Sequence, residues 1–299
     1  MENRINLGID LGGSHVAVGV VSDDGKIFEQ FEKDFTILEK SDLISVAMEF
    51  IVQNIDSLKR RYSFSKFGIG IPGTISDGVI VKSVNLGAEN YDIKQKLEEA
   101  TGMAVRVKND AKCAAIAEYR YGACRVFRNV LFLTLGTGIG GAYVYRGELL
   151  EGSIFEGLEV GHMVIKHGGL RCKCGKFGCF EKYGSILAFK NRVIEKLGLS
   201  YDISGIELRG IIESKQHEIN DIQADYISDL ALGISNLVNV FEPDAIVIGG
   251  GFARYSYILL EPLKDKLLNS NLLFNERKDI IIKTAELGND AGIIGASIL

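Results

Sequence analysis

Residues 5–21 read INLGIDLGGSHVAVGVV, and they carry the clearest architectural signal in the chain. The apolar residues 5–9 predict a strand, residues 10–14 a glycine-rich turn, and residues 16–21 a second strand. The turn DDGK at residues 23–26 then leads into a third strand. This opening therefore predicts three consecutive strands joined by tight turns.

The opening pattern returns at residues 130–145, VLFLTLGTGIGGAYVY. Aligning Asp10 with Thr134 sets residues 7–21 beside residues 131–145. Apolar periodicity and composition predict further elements: helices at 43–55, 111–121 and 219–241, and strands at 67–71, 105–107 and 245–248. The predicted architecture is two similar α/β halves that face a cleft, and such clefts are where ligands bind.

The composition limits the class of protein. The 299 residues are 46% apolar and 24% charged, as in a soluble globular protein of two domains. The formal net charge of −5 argues against a nucleic-acid partner, which needs a basic face. The longest uncharged run, residues 129–145, contains four glycines and two threonines and is not a membrane span. Because the N-terminus shows no secretory pattern, we expect a cytoplasmic protein without a membrane partner.

Three glycine-rich turns each follow an apolar strand, at residues 10–14, 135–141 and 248–251. Backbone N–H groups in such turns can form a concave site for an anion, although ordinary hairpin geometry also explains each turn alone. Residues 136–141 match the spacing of a dinucleotide fingerprint, but the strand-like AYVY follows where that motif requires a helix. Together with the hydroxyls of Ser14, Thr134 and Thr137, the three turns favour a phosphate clamp.

Three cysteines lie within the segment RCKCGKFGC at residues 171–179. The odd total of 5 cysteines, in a sequence without a secretory pattern, argues against disulfides. The thiolates of Cys172, Cys174 and Cys179 can reach one zinc ion, which then needs a fourth ligand. His162 and His167 are the candidates for that ligand. A closed Cys₃His site would be structural, and the alternative is three reduced surface thiols.

Four acidic residues are candidates for chemistry on a phosphate or a sugar. Asp110 begins a predicted helix, where it can cap the helix or act as a general base in phosphoryl transfer. Asp10 begins the first glycine turn, where it can be a plain turn residue or orient Mg²⁺. Glu159 and Glu181 flank the cysteine segment and can hydrogen-bond sugar hydroxyls, although an exposed glutamate without a ligand is the usual alternative.

Taken together, these motifs resemble the ROK family (repressors, open reading frames and kinases) of sugar kinases over nearly the whole chain. The residues that carry the resemblance are 10–14 (DLGGS), 70–73 (GIPG), 85–86 (NL), 109–111 (NDA), 135–141 (LGTGIGG), 159–162 (EVGH), 172–181 (CKCGKFGCFE) and 246–251 (IVIGGG). The segments at 159–162 and 172–181 are the most specific of these.

The resemblance implies an α/β fold of the two-lobed actin/hexokinase-like (ribonuclease H-like) type, with duplicated α/β domains around a central cleft. We expect a smaller N-terminal domain, residues 1–118 plus 288–299, and a larger C-terminal domain with the zinc loop, residues 119–287. The implied activity is that of an ATP:hexose 6-phosphotransferase of the glucokinase type. It would use ATP, Mg²⁺ and a structural Zn²⁺, and a homodimer is the expected assembly.

Residue by residue, the resemblance makes Asp110 the general base on a sugar hydroxyl, that at C6 of glucose. The implied sugar contacts are Gly73, Asn85, Asn109, Asp110, Glu159, His162 and Glu181. The implied nucleotide contacts are Asp10, Gly12, Gly13, Ser14, Thr137, Gly138, Gly249, Gly250 and Gly251. The implied zinc ligands are His162, Cys172, Cys174 and Cys179. Since His162 belongs to both the sugar and the zinc sets, loss of zinc should lower activity.

Two departures from the family pattern concern the phosphate turn and the substrate. Ser14-His15 stands where threonine and a longer polar or basic residue are common, and serine keeps the hydroxyl. The segment after Asn85 lacks the tryptophan that many members carry, and the chain contains no tryptophan. The alternatives to glucose are therefore N-acetylmannosamine, another hexose or a β-glucoside. The alternative to an enzyme is a sugar-sensing protein without catalysis.

Overall fold

The structure is a computed structural model that describes residues 4–36, 39–275 and 279–299. The strands are β1 (Ile5–Leu11), β2 (His15–Ser22), β3 (Ile27–Asp34), β4 (Phe64–Ile71), β5 (Thr74–Ser76), β6 (Val79–Ser83), β7 (Ala88–Asp92), β8 (Arg106–Asn109), β9 (Asn129–Leu135), β10 (Ile139–Tyr145), β11 (Glu148–Leu149), β12 (Ala245–Gly249) and β13 (Ile281–Thr284). The α-helices are α1 (Leu43–Lys59), α2 (Ile93–Thr101), α3 (Asp110–Tyr121), α4 (Glu181–Gly184), α5 (Ile186–Leu197), α6 (Gly205–Ser214), α7 (Asn220–Phe241), α8 (Ser256–Asn269) and α9 (Ala291–Ser297).

The chain divides into two compact units. The first comprises Met1–Arg128, Ala142–Leu158 and Glu286–Leu299, and the second comprises Asn129–Gly141 and Glu159–Ala285. The boundaries expected from the sequence, 1–118 with 288–299 and 119–287, differ from this division at residues 119–128, 142–158 and 286–287. Those residues belong to the first unit because of contacts that no motif in the sequence predicts. The Glu118 carboxylate accepts the N–H of Ala123, and the N–H of Glu156 donates to the carbonyl of Ile75.

One five-stranded sheet has the order β3-β2-β1-β4-β8. The strands β1, β4 and β8 run parallel, whereas β2 and β3 are joined to β1 as antiparallel hairpins. In this register Asp10 lies opposite Gly70, and Gly70 lies opposite Lys108. The carboxyl ends of the three parallel strands therefore meet at one edge of the sheet, which we call the β1-β4-β8 edge.

A second five-stranded sheet has the order β11-β10-β9-β12-β13. It repeats the plan of the first sheet, because β9, β12 and β13 are parallel and β10 and β11 form an antiparallel hairpin. The sequence repeat at residues 130–145 is thus a structural repeat. The predicted α/β fold with duplicated sheets is confirmed, and a small third sheet, β5-β6-β7, accompanies it.

The C-terminal helix α9 packs onto the first sheet at positions where a side chain would not fit. A Cβ atom on Gly8 would lie 2.1 Å from the carbonyl oxygen of Ile293, and one on Gly68 would lie 2.0 Å from that of Ala296. On the other face, α1 buries apolar residues such as Ile51 against the strands. The glycines in β1 and β4 therefore let the end of the chain close the first unit.

The long helix α7 supplies much of the core of the second unit. Its seam of Tyr226, Leu230, Ile234 and Leu237 is buried, as the spacing of three and four residues predicts. The ring of Phe180 lies against Gly233, where a Cβ atom would come within 2.1 Å of it. Phe180 directly follows the last cysteine of the predicted zinc segment, so this contact anchors that segment to the helix.

Of the helices in the described residues, none combines the length and the apolar character that crossing a bilayer requires.

Candidate active site

The β1-β4-β8 edge brings together predicted site residues of the first unit. Asp10 lies near the end of β1, Gly73 follows the end of β4, and Asn109 is the last residue of β8. Asp110 is the first residue of α3, directly after Asn109. Ligands of open α/β sheets bind beyond the carboxyl ends of parallel strands, so this edge is where a ligand is expected.

Asn109 is the N-cap of α3, a role that the sequence left open for Asp110. Its backbone is extended (φ −61°, ψ 141°), and its side-chain oxygen accepts the N–H groups of Ala111 at 3.0 Å and Lys112 at 3.3 Å. The side-chain amide also donates to the carbonyl of Gly73 at 3.1 Å. Asn109 therefore fixes both the start of the helix and the loop after β4, while the Asp110 carboxylate accepts the N–H of Ala111 at 2.8 Å.

At two positions near this edge, the absence of a side chain on glycine lets two backbone segments lie close together. Gly73 has φ +115°, and a Cβ atom there would lie 2.4 Å from the carbonyl oxygen of Lys82, so only glycine fits. A Cβ atom on Gly13 would lie 3.0 Å from the carbonyl oxygen of Asn85. The structure thus brings the first glycine turn beside Asn85, whose side chain is exposed.

The first glycine turn closes on itself next to Asp10. The N–H of Gly12 donates to the carbonyl of His15 at 2.8 Å, and the carbonyl of Ser14 accepts the N–H of Phe35 at 2.8 Å. The imidazole Nε2 of His15 lies 3.9 Å from a carboxylate oxygen of Asp10. Ser14 is exposed at the tip, so its hydroxyl is accessible to a ligand.

Asp10 is electrostatically unusual for a residue at a strand end. Burial, with the Glu32 carboxylate as a second cause, raises the pKa of Asp10 from 3.8 to about 6. Its side chain is only 19% exposed. A cation bound at this carboxylate would offset the loss of hydration, so the residue suits a Mg²⁺ ligand or a partner of its hydration shell.

The carboxylate of Glu156 also reaches the β1-β4-β8 edge. It accepts the backbone N–H of Asn109 at 3.0 Å, and its oxygens lie 3.4 Å from the Lys112 ammonium and 3.7 Å from that of Lys108. No motif marks Glu156 in the sequence. The signal that could have indicated such a partner is the pair of lysines that flanks Asn109-Asp110, because a buried lysine requires a carboxylate.

In the second unit, two glycine turns follow neighbouring parallel strands. The N–H of Gly136 donates to the carbonyl of Gly138 at 3.0 Å, which closes the turn after β9. Gly250 has φ +70°, and a Cβ atom on it would lie 3.0 Å from the carbonyl oxygen of Leu135. The second and third glycine turns, with Thr137 exposed between Gly136 and Gly138, therefore lie side by side.

The predicted zinc ligands form one cluster. The ligand atoms of His162, Cys172, Cys174 and Cys179 all lie within 4.8 Å of one another. The Cys172 sulfur is 3.8 Å from Nδ1 of His162, and the Cys174 and Cys179 sulfurs are 3.6 Å apart. Three sulfurs and one imidazole nitrogen are a donor set that suits tetrahedral Zn²⁺. His167, the competing candidate, is not part of the cluster.

Glu181 joins this cluster to the second glycine turn. The Cys172 thiol donates to Oε1 of Glu181 at 3.0 Å, and burial followed by this hydrogen bond raises the pKa of Cys172. The other oxygen, Oε2, lies 2.6 Å from where a Cβ atom on Gly138 would be. Glu159 is exposed, and its carbonyl accepts the N–H of His162 at 3.0 Å.

The predicted site residues therefore form two groups, one in each unit. The first unit holds Asp10, Gly12, Gly13, Ser14, Gly73, Asn85, Asn109 and Asp110. The second unit holds Thr137, Gly138, Glu159, His162, Cys172, Cys174, Cys179, Glu181, Gly249, Gly250 and Gly251.

Comparison with known proteins identifies relatives along the whole chain. A sequence profile described as the ROK family matches residues 6–299. A glucokinase of Halalkalibacterium halodurans is 32% identical, covering 100% of this chain and 96% of that protein. A glucokinase of Thermotoga maritima is 33% identical, covering 97% of this chain and 95% of that protein. The solved structure of a ROK family glucokinase from Streptomyces griseus in complex with glucose and AMPPNP has a TM-score of 0.85, at 27% identity and 98% coverage of both chains.

Proposed function

We propose the function of this protein on the basis of its family. The comparisons show that the chain belongs to the ROK family. The protein is an ATP-dependent hexose kinase that transfers the γ-phosphate of MgATP to the C6 hydroxyl of glucose. Glucokinase relatives at 32% and 33% identity over nearly the full chain support the sugar-kinase class. The observation that carries the assignment of residues is the β1-β4-β8 edge, where Asp10, Asn109 and Asp110 lie together.

Asp110 is the proposed general base. Its carboxylate accepts the proton of the C6 hydroxyl as the sugar oxygen forms a bond to the γ-phosphorus and the bond from that phosphorus to the oxygen of the leaving ADP breaks. The capping of α3 by Asn109 supports this role, because the helix start does not depend on Asp110 as its N-cap. Asn109, Gly73 and Asn85 are the proposed sugar contacts of the first unit.

The glycine turns are the proposed phosphate contacts. Backbone N–H groups at Gly12, Gly13 and Gly138 and hydroxyls at Ser14 and Thr137 are donors of the type that phosphate oxygens accept. Mg²⁺, when bound, neutralises charge on the β- and γ-phosphates, and Asp10 would hold it or its waters. The turn at Gly249, Gly250 and Gly251 is the proposed contact for the adenosine side.

The zinc cluster is the proposed support for the sugar contacts of the second unit. His162, Cys172, Cys174 and Cys179 would hold a structural Zn²⁺ that closes all four coordination positions. Glu181 lies two residues after Cys179, so a metal that fixes Cys179 would also fix the backbone that carries the carboxylate we assign to the sugar. Glu159 and His162 are the other proposed sugar contacts, and a cytoplasmic homodimer stays a prediction.

The test is an ADP-release assay with MgATP on protein whose zinc content has been measured. The panel is glucose, mannose, N-acetylmannosamine, N-acetylglucosamine, fructose, allose and a β-glucoside. We expect the highest kcat/KM for glucose. A higher value for another sugar would reject glucose while keeping the kinase. No turnover across the panel, from protein that contains zinc, would favour the sugar-sensing alternative.

A further inference from the structure

Glu156 holds the segment that carries the proposed base. Its carboxylate is 13% exposed and faces the backbone of Asn109, 47 residues earlier in the chain. One oxygen, Oε2, serves both the Asn109 N–H at 3.0 Å and the Lys112 ammonium at 3.4 Å. The other oxygen lies 3.7 Å from the Lys108 ammonium. A single side chain thus contacts residues on both sides of Asp110.

The charges around Glu156 make this contact hard to replace. Lys112 is 1% exposed, and its ammonium also donates to the backbone carbonyl of Glu156. Lys108 is 22% exposed and has a second partner, Glu151, which is 40% exposed. Among the ion pairs of the described residues, Lys112 pairs with Glu156 alone. Removal of the Glu156 charge would leave a buried ammonium without a counter-ion.

The contact completes the anchoring of Asn109. The side-chain oxygen of Asn109 caps α3, its amide nitrogen binds the Gly73 carbonyl, and its backbone N–H binds Glu156. Asn109 directly precedes Asp110, so these three hydrogen bonds also restrain the backbone of Asp110. Small shifts of a catalytic group are costly, since a displacement of about 1 Å can lower a rate about 10²-fold.

We propose that Glu156 is a positioning residue that sets the orientation of Asp110 through Asn109 and Lys112. This inference rests on the proposed function, in which Asp110 is the base. It assigns no contact between Glu156 and the substrates. Loss of Glu156 therefore lowers kcat and leaves KM for ATP unchanged, because the proposed adenosine contacts at residues 249–251 are not attached to it.

A cavity beside Glu156 allows a direct test by chemical rescue. The cavity has a volume of about 600 Å³ and is lined by Glu156 together with Lys108, Arg106 and Ser153. A Glu156→Ala variant would extend this open space by the volume of the missing carboxylate. Acetate is small enough to enter, and its carboxylate can accept the Asn109 N–H and pair with Lys112.

The experiment measures kcat and KM for Glu156→Gln, Glu156→Ala and the matched control Glu151→Gln. Glu151 also pairs with Lys108 but makes no hydrogen bond to Asn109 in the described residues. We expect kcat to fall about 10-fold in Glu156→Gln, which keeps an acceptor oxygen, and about 10²-fold in Glu156→Ala. KM for ATP should stay within about twofold in both variants. Glu151→Gln should have the kcat of the wild type.

Acetate should restore part of kcat to Glu156→Ala and should not raise the kcat of the wild type. A kcat for Glu156→Gln and Glu156→Ala within about twofold of the wild type would overturn the proposal, as would equal losses in Glu151→Gln and Glu156→Gln. If Glu156→Ala does not fold, the isosteric Glu156→Gln decides alone. Full activity in Asp110→Asn would instead reject the proposed base, so the two failures are distinguishable.

Discussion

The Asn109-Asp110 segment and the Cys172–Glu181 segment both present a carboxylate, but they hold it by different means. Asn109 is fixed by Gly73 and Glu156, which lie 36 and 47 residues away in the chain. Glu181 lies only two residues after Cys179, and the predicted zinc ligands all fall within residues 162–179. The first arrangement depends on the packing of a whole unit, whereas the second depends on a short segment and on the zinc ion proposed for it.

This difference predicts that the two segments respond to different perturbations. Removal of zinc should disturb Glu181 and leave Asn109-Asp110 in place, since the metal cluster contains no residue of the first unit. Substitution of Glu156 should instead disturb Asn109-Asp110 and leave Glu181 in place. Each of the following variants tests one side of this contrast.

The largest effect is expected for Asp110→Asn. Loss of the base should lower kcat by about 10²–10⁴-fold, while KM for the sugar changes little. Thermal stability should stay close to that of the wild type, because Asn109 rather than Asp110 is the N-cap of α3. Steady-state kinetics and a melting curve on the same sample measure both quantities. Wild-type kcat in this variant would remove Asp110 from the reaction.

Asp10→Asn should make the protein more stable and less active. The pKa of Asp10 in the fold is about 6, above its ordinary 3.8, so burial opposes the charged form. The contribution of the Asp10 carboxyl to the free energy of unfolding is most favourable below pH 4 and decreases as the pH rises to about 6. An asparagine avoids that loss, which is about 3 kcal/mol at pH 7 and about half as much at pH 5.

Denaturant unfolding in EDTA at the two pH values measures the gain from Asp10→Asn. Asp24→Asn in the same unit is the control. Its carboxylate is exposed, and the Ser22 hydroxyl lowers the pKa of Asp24, so this change should not stabilise the protein. A gain for Asp10→Asn that does not depend on pH would contradict the role of ionisation.

Cys174→Ser should reduce bound zinc and sugar affinity together. The remaining ligands leave the ion one sulfur short, and the metal then no longer holds the segment that carries Glu181, two residues after Cys179. We expect KM for the sugar to rise about 10-fold or more. The measurements are metal analysis and sugar-dependent kinetics, with Cys124→Ala as a control at a buried cysteine outside the cluster. Full zinc content would remove Cys174 from the ligand set, and zinc loss without a change in KM would disprove the coupling.

The smallest effect is expected for Gly138→Ala. Its new methyl group would lie 2.6 Å from Oε2 of Glu181 and must displace that carboxylate. At Gly136, in the same turn, a Cβ atom meets nothing within 4 Å, so Gly136→Ala is a matched control. We expect kcat/KM for the sugar to fall about threefold to tenfold more in Gly138→Ala than in Gly136→Ala. Equal kcat/KM values for the sugar in the two variants would show that Glu181 does not contribute to the sugar site.

Much of the fold could be predicted from the sequence. The strand–glycine turn–strand pattern at residues 5–21 and its return at 130–145 correspond to two sheets of the same plan. The ROK family resemblance is confirmed over residues 6–299. Strand ends were less predictable, since β8 runs from Arg106 to Asn109 rather than over 105–107. The end of that strand decides that Asn109 caps the helix.

The sequence by itself determined what depends on neighbours along the chain. Three cysteines within eight residues, with glycines between them, can reach one ion wherever the segment lies. Alternating apolar residues likewise specify a strand, and a glycine-rich turn exposes backbone N–H groups through local geometry alone. For this reason the three cysteines and the glycine turns could be named from local spacing alone, whereas spacing left His162 and His167 open and the family resemblance implied His162.

Only the tertiary structure decided which distant groups meet. The contact of Glu156 with Asn109, the burial that raises the pKa of Asp10, and the approach of His162 to the three cysteines all depend on which elements pack together. Their energies come from desolvation and from hydrogen bonds between residues far apart in the chain. Such terms leave no periodicity or spacing in a sequence, because either partner alone is an ordinary charged or polar residue.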